Sequence, residues 1–199
     1  MASCVVFVCI GNTVRSPFAE FLFAKMLSEK SDELGKRLKV LSAGFIVQKL
    51  KEQLAKAQVS FPEPFYGRPM SKAVRVALLE GGIDVPIEWR SKELNPKMVR
   101  DADLIMTMLP EIKEEMRDLF HEAQNKIFTL REMSGWDEYL IFEDFYAPTL
   151  NNNYWHFVEE DPEFVSQTLL AVGDNLVRAF PNIIRKLGIR TTPDGEIVR

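Results

Sequence analysis

Cys9 and Arg15, six positions apart, combine a nucleophile with a cation that could together carry out phosphoryl transfer. They belong to the segment Cys-Ile-Gly-Asn-Thr-Val-Arg-Ser, residues 9–16, which we call the 9–16 loop. The loop follows a buried apolar run and leads into Ser16-Pro17, a pair that is typical of a helix start. A loop that enters a helix N-terminus directs backbone N–H groups and the positive end of the helix dipole towards one point. Because that point suits a phosphate dianion, the 9–16 loop is predicted to bind phosphate.

The side chains of the 9–16 loop include a nucleophile and a cation. The positive field favours the thiolate form of Cys9, which can attack phosphorus, and the planar Arg15 guanidinium can hold two phosphoryl oxygens. The Ser16 hydroxyl can donate a hydrogen bond to the sulfur and make it a better leaving group. Gly11 and Asn12 tolerate the left-handed backbone that such a cradle needs. Two alternatives stay open: Cys9 is a small buried residue at a strand end, or Ser16 is only a helix cap.

The elements around the loop predict the fold. Residues 3–9 are apolar without alternation, which is typical of a central strand covered on both faces of a parallel sheet. Further strands are predicted at 38–42, 103–108 and 127–130, and helices from Ser16, over 46–58, from the cap Ser71 to 81, over 110–120 and over 162–187. This alternation predicts an α/β fold, a single doubly wound domain over residues 1–199 with a central parallel four-stranded sheet flanked by helices. The predicted site lies at the carboxyl ends of the strands.

Composition excludes several classes of protein. The 199 residues are 46% hydrophobic and 27% charged, which is ordinary for a globular domain and unlike a disordered or disulfide-rich chain. With 25 Lys and Arg against 29 Asp and Glu, the net charge of −4 predicts no general attraction to nucleic acid or to a membrane. No basic leader precedes the first strand, so we expect a cytoplasmic protein. Cys4 and Cys9 are separated by ~16 Å of strand, so both are expected to be free thiols.

The 9–16 loop resembles that of the low-molecular-weight protein tyrosine phosphatases, and the similarity extends over most of the chain. Ser42-Ala43-Gly44 resembles the family segment in which a serine supports the loop asparagine, here Asn12. Three further segments resemble the family in the same order: 67–73, 82–84 and 102–108. The resemblance implies hydrolysis of phosphotyrosine in proteins through a cysteinyl-phosphate, without a metal or another cofactor. It also implies inhibition by inorganic phosphate or other oxyanions. The residues implied to bind substrate are Ile10, Gly11, Asn12, Thr13, Val14, Ser16 and Tyr146.

Two carboxylates are candidates for the general acid that protonates the leaving oxygen. The family uses an Asp-Pro pair, and the chain offers Asp161-Pro162, but that pair before a long helix is also typical of a capped N-terminus. The segment 139–147 resembles the apolar run, acid pair and aromatic residue that carry the family's acid. We therefore prefer Asp144 and keep Asp161 as the alternative. Tyr146 would then form a wall of the cleft.

Three departures from the family pattern accompany the resemblance. Val14 stands where a second, protective cysteine is usual, and Trp89 where a loop-supporting histidine often lies. The stretches near 45–66 and 133–160 are longer than the family norm and are interpreted as insertions.

Other functions also fit the sequence. The loop resembles that of family members that hydrolyse protein phosphoarginine, because those members carry threonine at the position of Thr13. Tyrosine-specific relatives often carry a larger aliphatic residue there. Arsenate reduction is less favoured, because it needs resolving cysteines and none follows Cys9. A catalytically weak phosphate-binding or phosphoprotein-binding module is the alternative outside enzymes. The missing Asp-Pro at position 144 and the valine at position 14 favour it, and the intact Cys9 and Arg15 oppose it.

Overall fold

A computed structural model describes residues 3–135, 159 and 161–189 of the chain. Its sheet has four parallel strands, and the predicted α/β architecture is confirmed. The order is β2-β1-β3-β4, where the strands are β1 Ser3–Cys9, β2 Leu38–Gly44, β3 Leu104–Thr107 and β4 Ile127–Thr129. The first strand is therefore interior, as its continuous apolar sequence predicts.

Helices cover both faces of the sheet. They are α1 Arg15–Lys30, α2 Asp32–Arg37, α3 Gln48–Lys56, α4 Lys72–Glu80, α5 Pro96–Asp101, α6 Pro110–Leu119, α7 Leu130–Ser134 and α8 Pro162–Lys186, with a 3₁₀ helix at His121–Lys126. One face of β1 packs in a core with α1 and α8, and the other packs with α3, α5 and α6. Among the described helices, none combines the length and the apolar character needed to cross a membrane.

Residues of β1 alternate between the two cores, which explains why the strand carries apolar side chains at every position. Val5 and Phe7 pack on the side of α1 and α8, and Phe7 meets Phe23 of α1 edge to face at 5.5 Å between ring centroids. Val6 and Val8 pack on the side of α3 and α6. All four side chains of β1 named here are fully buried. This double burial fixes the register of β1 and so fixes where Cys9 emerges at its end.

Of two predicted helix caps, one is wrong in position, and the other is at the predicted residue but lacks the capping hydrogen bond. Helix α1 begins at Arg15, one residue before the predicted cap Ser16, and its N-cap is Val14 without a capping hydrogen bond. Ser71 is the N-cap residue of α4, as predicted, but its hydroxyl makes no capping bond and donates instead to the carbonyl of Glu159 at 2.5 Å. In both cases the serine hydroxyl forms a hydrogen bond with a residue outside the helix, Cys9 for Ser16 and Glu159 for Ser71, instead of capping the helix.

The ends of two strands also differ from the prediction. Strand β2 continues to Gly44, whose N–H donates to the Lys92 carbonyl at 2.7 Å, so a segment distant in sequence extends the strand. Strand β4 ends at Thr129, because Thr129 and Glu132 form a capping box that begins α7. The short helices α2, α5 and α7 escape prediction, since five or six residues are too few to show a helical period.

Candidate active site

Cys9 lies at the carboxyl end of β1, next to the point between β1 and β3 where the order of strand addition reverses. Strand β1 leads to β2 on one side and has β3 on the other, which is the point where doubly wound sheets bind ligands. Cys9 is buried, and its Sγ lies 3.0 Å from the Ser16 Oγ on the first turn of α1. The Cys9 carbonyl accepts a hydrogen bond from the Phe45 N–H at 2.8 Å. The nucleophile predicted from sequence is thus beside the serine predicted to stabilise it.

Asn12 links the loop to β2 through a buried set of hydrogen bonds. Its Nδ2 donates to the Ser16 Oγ at 2.9 Å and to the Ser42 Oγ at 2.8 Å. Its Oδ1 accepts from the Lys92 N–H at 2.8 Å, and the Ser42 hydroxyl donates to the Glu20 carboxylate. The structure therefore brings Ser42 and Asn12 together, which is the pair that the resemblance predicts.

The donors in this network decide where the Ser16 proton lies. Because the Asn12 Oδ1 must face the Lys92 N–H, both amide hydrogens of Asn12 point to serine oxygens. The Ser16 oxygen is then an acceptor towards Asn12, and its single hydrogen is left for the Cys9 Sγ or, at 3.3 Å, for the Ala43 carbonyl. A thiolate has no hydrogen to donate, so in that form of Cys9 the Ser16 hydroxyl is the donor to sulfur.

The Glu20 carboxyl closes the network on its inner side. Burial raises the pKa of Glu20, while the hydrogen bond from Ser42, the Lys92 charge and the Trp89 side chain act in the opposite direction. Trp89, which stands where the family often has a histidine, is itself buried beside Met70. Although Trp89 cannot titrate as a histidine does, it contributes to the surroundings of the same carboxyl.

The two residues predicted to adopt left-handed backbone behave differently. Asn12 does so, with φ of 53°, but no left-handed φ occurs at Gly11, so that part of the prediction is wrong. Space at Gly11 is limited instead by neighbouring side chains. A Cβ at this position would lie 3.3 Å from the Thr13 Oγ1, 3.6 Å from a Glu159 carboxylate oxygen and 3.8 Å from the Arg68 Nη2.

The other loop residues are all buried. Arg15 is the first residue of α1 and only 4% exposed, so its side chain is buried. The Ile10 side chain packs in the core on the α3 side, and the Val14 side chain packs beside Met70 of the loop before α4. Ile10 and Val14 can therefore offer an anion only their backbone groups.

Sequence reasoning missed an ion pair that lies against the 9–16 loop. The Glu159 carboxylate accepts hydrogen bonds from both terminal nitrogens of Arg68, each at 2.7 Å, and from the Thr13 hydroxyl at 3.1 Å. Ser71 joins the same group, since its N–H donates to the Thr13 carbonyl at 3.0 Å. Arg68 lies in a segment that resembles the family, which was the only sequence signal for it.

Tyr66 is a second residue that the sequence did not indicate for this site. Its hydroxyl donates to the Ile10 carbonyl at 3.2 Å. A Cβ at Gly44 would lie only 2.4 Å from the Tyr66 Cε1 and 2.6 Å from the Ile10 carbonyl oxygen, so glycine is needed where the three segments meet. Burial raises the pKa of the Tyr66 hydroxyl, and the charges of Glu93 and Cys9 act in the same direction.

The two candidate acids differ in what the structure describes. The Asp161 Oδ1 accepts a hydrogen bond from the Phe164 N–H at 2.8 Å and caps α8, as the Asp-Pro pattern predicts. Asp144 and the predicted cleft wall Tyr146 lie outside the described residues. Within the part of the chain that the structure covers, no three His, Cys, Asp or Glu side chains gather in the way metal ligands do.

Comparison with known proteins places this geometry beside several phosphatases. A sequence model of the low molecular weight phosphotyrosine protein phosphatase family matches residues 4–140. The protein-arginine-phosphatase of Bacillus subtilis is 33% identical over 64% of this chain and 70% of its own length. A probable low molecular weight protein-tyrosine-phosphatase, EpsP of Ralstonia solanacearum, is 27% identical over 72% of this chain and 86% of its own length. The crystal structure of the low molecular weight protein tyrosine phosphatase from T. tengcongensis matches with a TM-score of 0.61 and 25% identity, covering 91% of this chain and 99% of that one.

Proposed function

The chain belongs to the low molecular weight phosphotyrosine protein phosphatase family, and on that premise we propose that it hydrolyses phosphotyrosine in proteins through a phosphocysteine on Cys9. The observation that carries the proposal is the 3.0 Å contact between the Cys9 Sγ and the Ser16 Oγ at the N-terminus of α1. This contact gives the sulfur a hydrogen-bond donor at the place where it must act first as nucleophile and then as leaving group.

The reaction divides into two displacements at phosphorus. In the first, the Cys9 thiolate forms an S–P bond while the bond from phosphorus to the tyrosine oxygen breaks, and a general acid protonates that oxygen. In the second, water attacks phosphorus, gives up a proton to the general acid that lost its own in the first step, and displaces the sulfur as a thiolate, which releases inorganic phosphate. The Arg15 guanidinium and the loop amides stabilise the charge on the phosphoryl oxygens in both steps. The hydrogen bond from Ser16 stabilises the departing thiolate.

Turnover of phenyl phosphate in metal-free buffer containing a chelator tests this function. Acid quenching during turnover should trap one phosphoryl group per chain, and peptide mass analysis should locate it on Cys9. The absence of both turnover and a trapped phosphocysteine would contradict the proposal and favour a phosphate-binding module.

We propose Asp144 as the general acid and assign Asp161 the cap of α8 that its hydrogen bond to Phe164 supports. We predict that Asp144→Asn slows phenyl phosphate roughly 10²- to 10⁴-fold, because a phenol with a pKa near 10 departs poorly without a proton. The same variant should slow a nitrophenyl phosphate much less, since nitrophenolate leaves unaided. The measurement is the dependence of kcat/KM on leaving-group pKa, which should become steeper.

Asp161→Asn is the matched control for this prediction. Asparagine also caps helices well, so the substitution should lower stability by at most ~1 kcal/mol and leave the leaving-group dependence unchanged. The opposite pattern, with Asp161→Asn steepening the dependence and Asp144→Asn leaving it unchanged, would reverse the assignment.

Hydrolysis of protein phosphoarginine is the second candidate, and Thr13 is the observation that favours it. The Thr13 hydroxyl donates to Glu159, which leaves its oxygen lone pairs free to accept an N–H from a substrate guanidinium. The similarity to a protein-arginine-phosphatase supports the same reading. A guanidinium leaving group offers N–H donors where a phenol offers only an apolar ring, so a hydroxyl here discriminates between the two substrates.

A substitution at Thr13 separates the two candidates. Thr13→Val removes the hydroxyl with almost no change of shape, and we expect kcat/KM for phosphoarginine to fall about 2- to 10-fold relative to phosphotyrosine, the value of one lost hydrogen bond. Thr13→Ser keeps the hydroxyl and should preserve the ratio. The measurement is competition between two peptides that differ only in the phosphorylated residue. An unchanged ratio in Thr13→Val would show that Thr13 plays no part in substrate choice.

A further inference from the structure

Arg68 lies beside the 9–16 loop, in the segment between α3 and α4, and is not needed for the chemistry described above. A Cβ at Gly11 would lie 3.8 Å from the Arg68 Nη2, so the guanidinium borders the middle of the loop. Its side chain is 19% exposed. A cation at this border adds a second positive centre next to the predicted phosphate site.

The Arg68 guanidinium is held by groups other than Glu159. Its Nε donates to the Phe65 carbonyl at 3.0 Å, and the guanidinium lies 5.4 Å from the centroid of the Phe65 ring. Its backbone is fixed by Ser91, whose Oγ accepts the Arg68 N–H at 3.1 Å and whose N–H donates to the Arg68 carbonyl at 2.8 Å. These contacts use the Nε and the backbone, so both terminal nitrogens remain available as a fork, which is the geometry that binds a carboxylate or phosphate.

Glu159 fills this fork in the structure. Its carboxylate is bound by both terminal nitrogens of Arg68 and by the Thr13 hydroxyl, so three donors from two separate segments converge on one anionic group. The Glu159 side chain is 13% exposed, so the pair lies close to solvent rather than deep in the core. An acidic group of a substrate can therefore take the place of the Glu159 carboxylate, and Arg68 keeps an anionic partner throughout.

We propose that Arg68 and Thr13 form a second anion subsite, which binds an acidic group of the substrate close to the phosphorylated residue and which Glu159 occupies in the free protein. The proposal rests on the proposed function, since it places a phosphorylated side chain in the 9–16 loop. The ligand chemistry is an aspartate or glutamate carboxylate, or a second phosphoryl group. Glu159 acts as an internal competitor for this subsite. A substrate must displace the Glu159 carboxylate in order to bind Arg68, and only a substrate with an acidic group can do so.

Phosphotyrosine peptides that differ only at one flanking position, Glu or Gln, test the subsite when that position is scanned on both sides. In the protein without substitutions, the glutamate of the peptide replaces the Glu159 carboxylate at little net gain in free energy. This protein should therefore prefer the Glu peptide only about twofold in kcat/KM. Glu159→Gln weakens the competitor and should raise the best Glu/Gln ratio to roughly tenfold. A third peptide with a second phosphotyrosine at that position shows whether a phosphoryl group is bound better than a carboxylate.

Reversing the charge of the subsite distinguishes a loss of anion binding from a structural effect of replacing Arg68. The double variant E159Q/R68E should prefer a peptide with Lys at the scanned position over one with Gln, which a distorted loop would not produce. A Glu/Gln ratio of one at every scanned position in Glu159→Gln, or no preference for Lys in the double variant, would overturn the subsite. Phenyl phosphate, which lacks a second anion, separates the two proposals: failure to hydrolyse it contradicts the proposed function, and normal hydrolysis with flat peptide ratios contradicts the subsite alone.

Discussion

Cys9→Ser is expected to lower turnover of phenyl phosphate by several powers of ten while oxyanion binding persists. The substitution keeps the size of a side chain that is only 2% exposed at the end of β1, and it removes the nucleophile without removing Arg15 or the loop amides. A serine hydroxyl is far less ionised than a thiol at neutral pH and is therefore a much weaker nucleophile. Steady-state kinetics give the loss of rate, and calorimetric titration with inorganic phosphate gives the retained binding.

Cys4→Ser is the matched control, because Cys4 lies on the same strand and is also a free, buried thiol. Burial raises the pKa of Cys4, which keeps it protonated and unreactive. We expect this variant to lose stability, since a hydroxyl replaces a buried thiol, and to retain its rate. Full activity in Cys9→Ser, or a comparable loss in Cys4→Ser, would contradict the assignment of the nucleophile.

Arg15→Lys is the second substitution with a large expected effect, a loss of about 10²- to 10³-fold in kcat/KM. The Arg15 side chain is buried at the first position of α1, where a planar fork can hold two phosphoryl oxygens at once. A lysine ammonium keeps the charge but cannot reproduce the paired geometry. Both KM and kcat should worsen, since the guanidinium contacts the phosphoryl group in the ground state and in the transition state.

Arg75→Lys controls for the general effect of such an exchange. Arg75 is on α4, where its guanidinium donates to the carbonyls of Val85 and Pro86. Its substitution should change stability slightly and leave the kinetics intact. An effect of less than tenfold at Arg15 would mean that the loop does not bind a phosphoryl group in the proposed way.

The part of the site that lies within one strand, loop and helix could be predicted from the sequence. The apolar run of β1 and the residues of the 9–16 loop are contiguous, so spacing alone puts Cys9 and Ser16 at the same sheet edge. The pair Asn12 and Ser42 came from resemblance, and the structure joins them at 2.8 Å. Ser16 shows the limit of local rules, because α1 begins one residue earlier and the hydroxyl turns inwards to sulfur.

The remainder depends on contacts between segments that no local pattern reports. Arg68 and Glu159 are separated by 91 positions, and no periodicity or motif in the sequence predicts that they form an ion pair. Ser71 has the sequence of an ordinary cap, yet its hydroxyl is used by the Glu159 carbonyl. Gly11 was predicted from its conformational freedom, whereas the structure gives it no left-handed φ and shows a side-chain contact from Thr13 that would be tight for a larger residue.

Asn12 has a consequence for the thermodynamics of ligand binding. Its left-handed backbone, with φ of 53°, is held by hydrogen bonds to Ser16, Ser42 and Lys92, all of which belong to the protein. The shape of the loop is therefore maintained without help from an anion, and association forfeits little conformational entropy. The loss of conformational entropy that orders the 9–16 loop thus occurs largely when the chain folds. The free energy of the contacts with the anion is then not reduced by ordering the loop, so the anion binds more tightly.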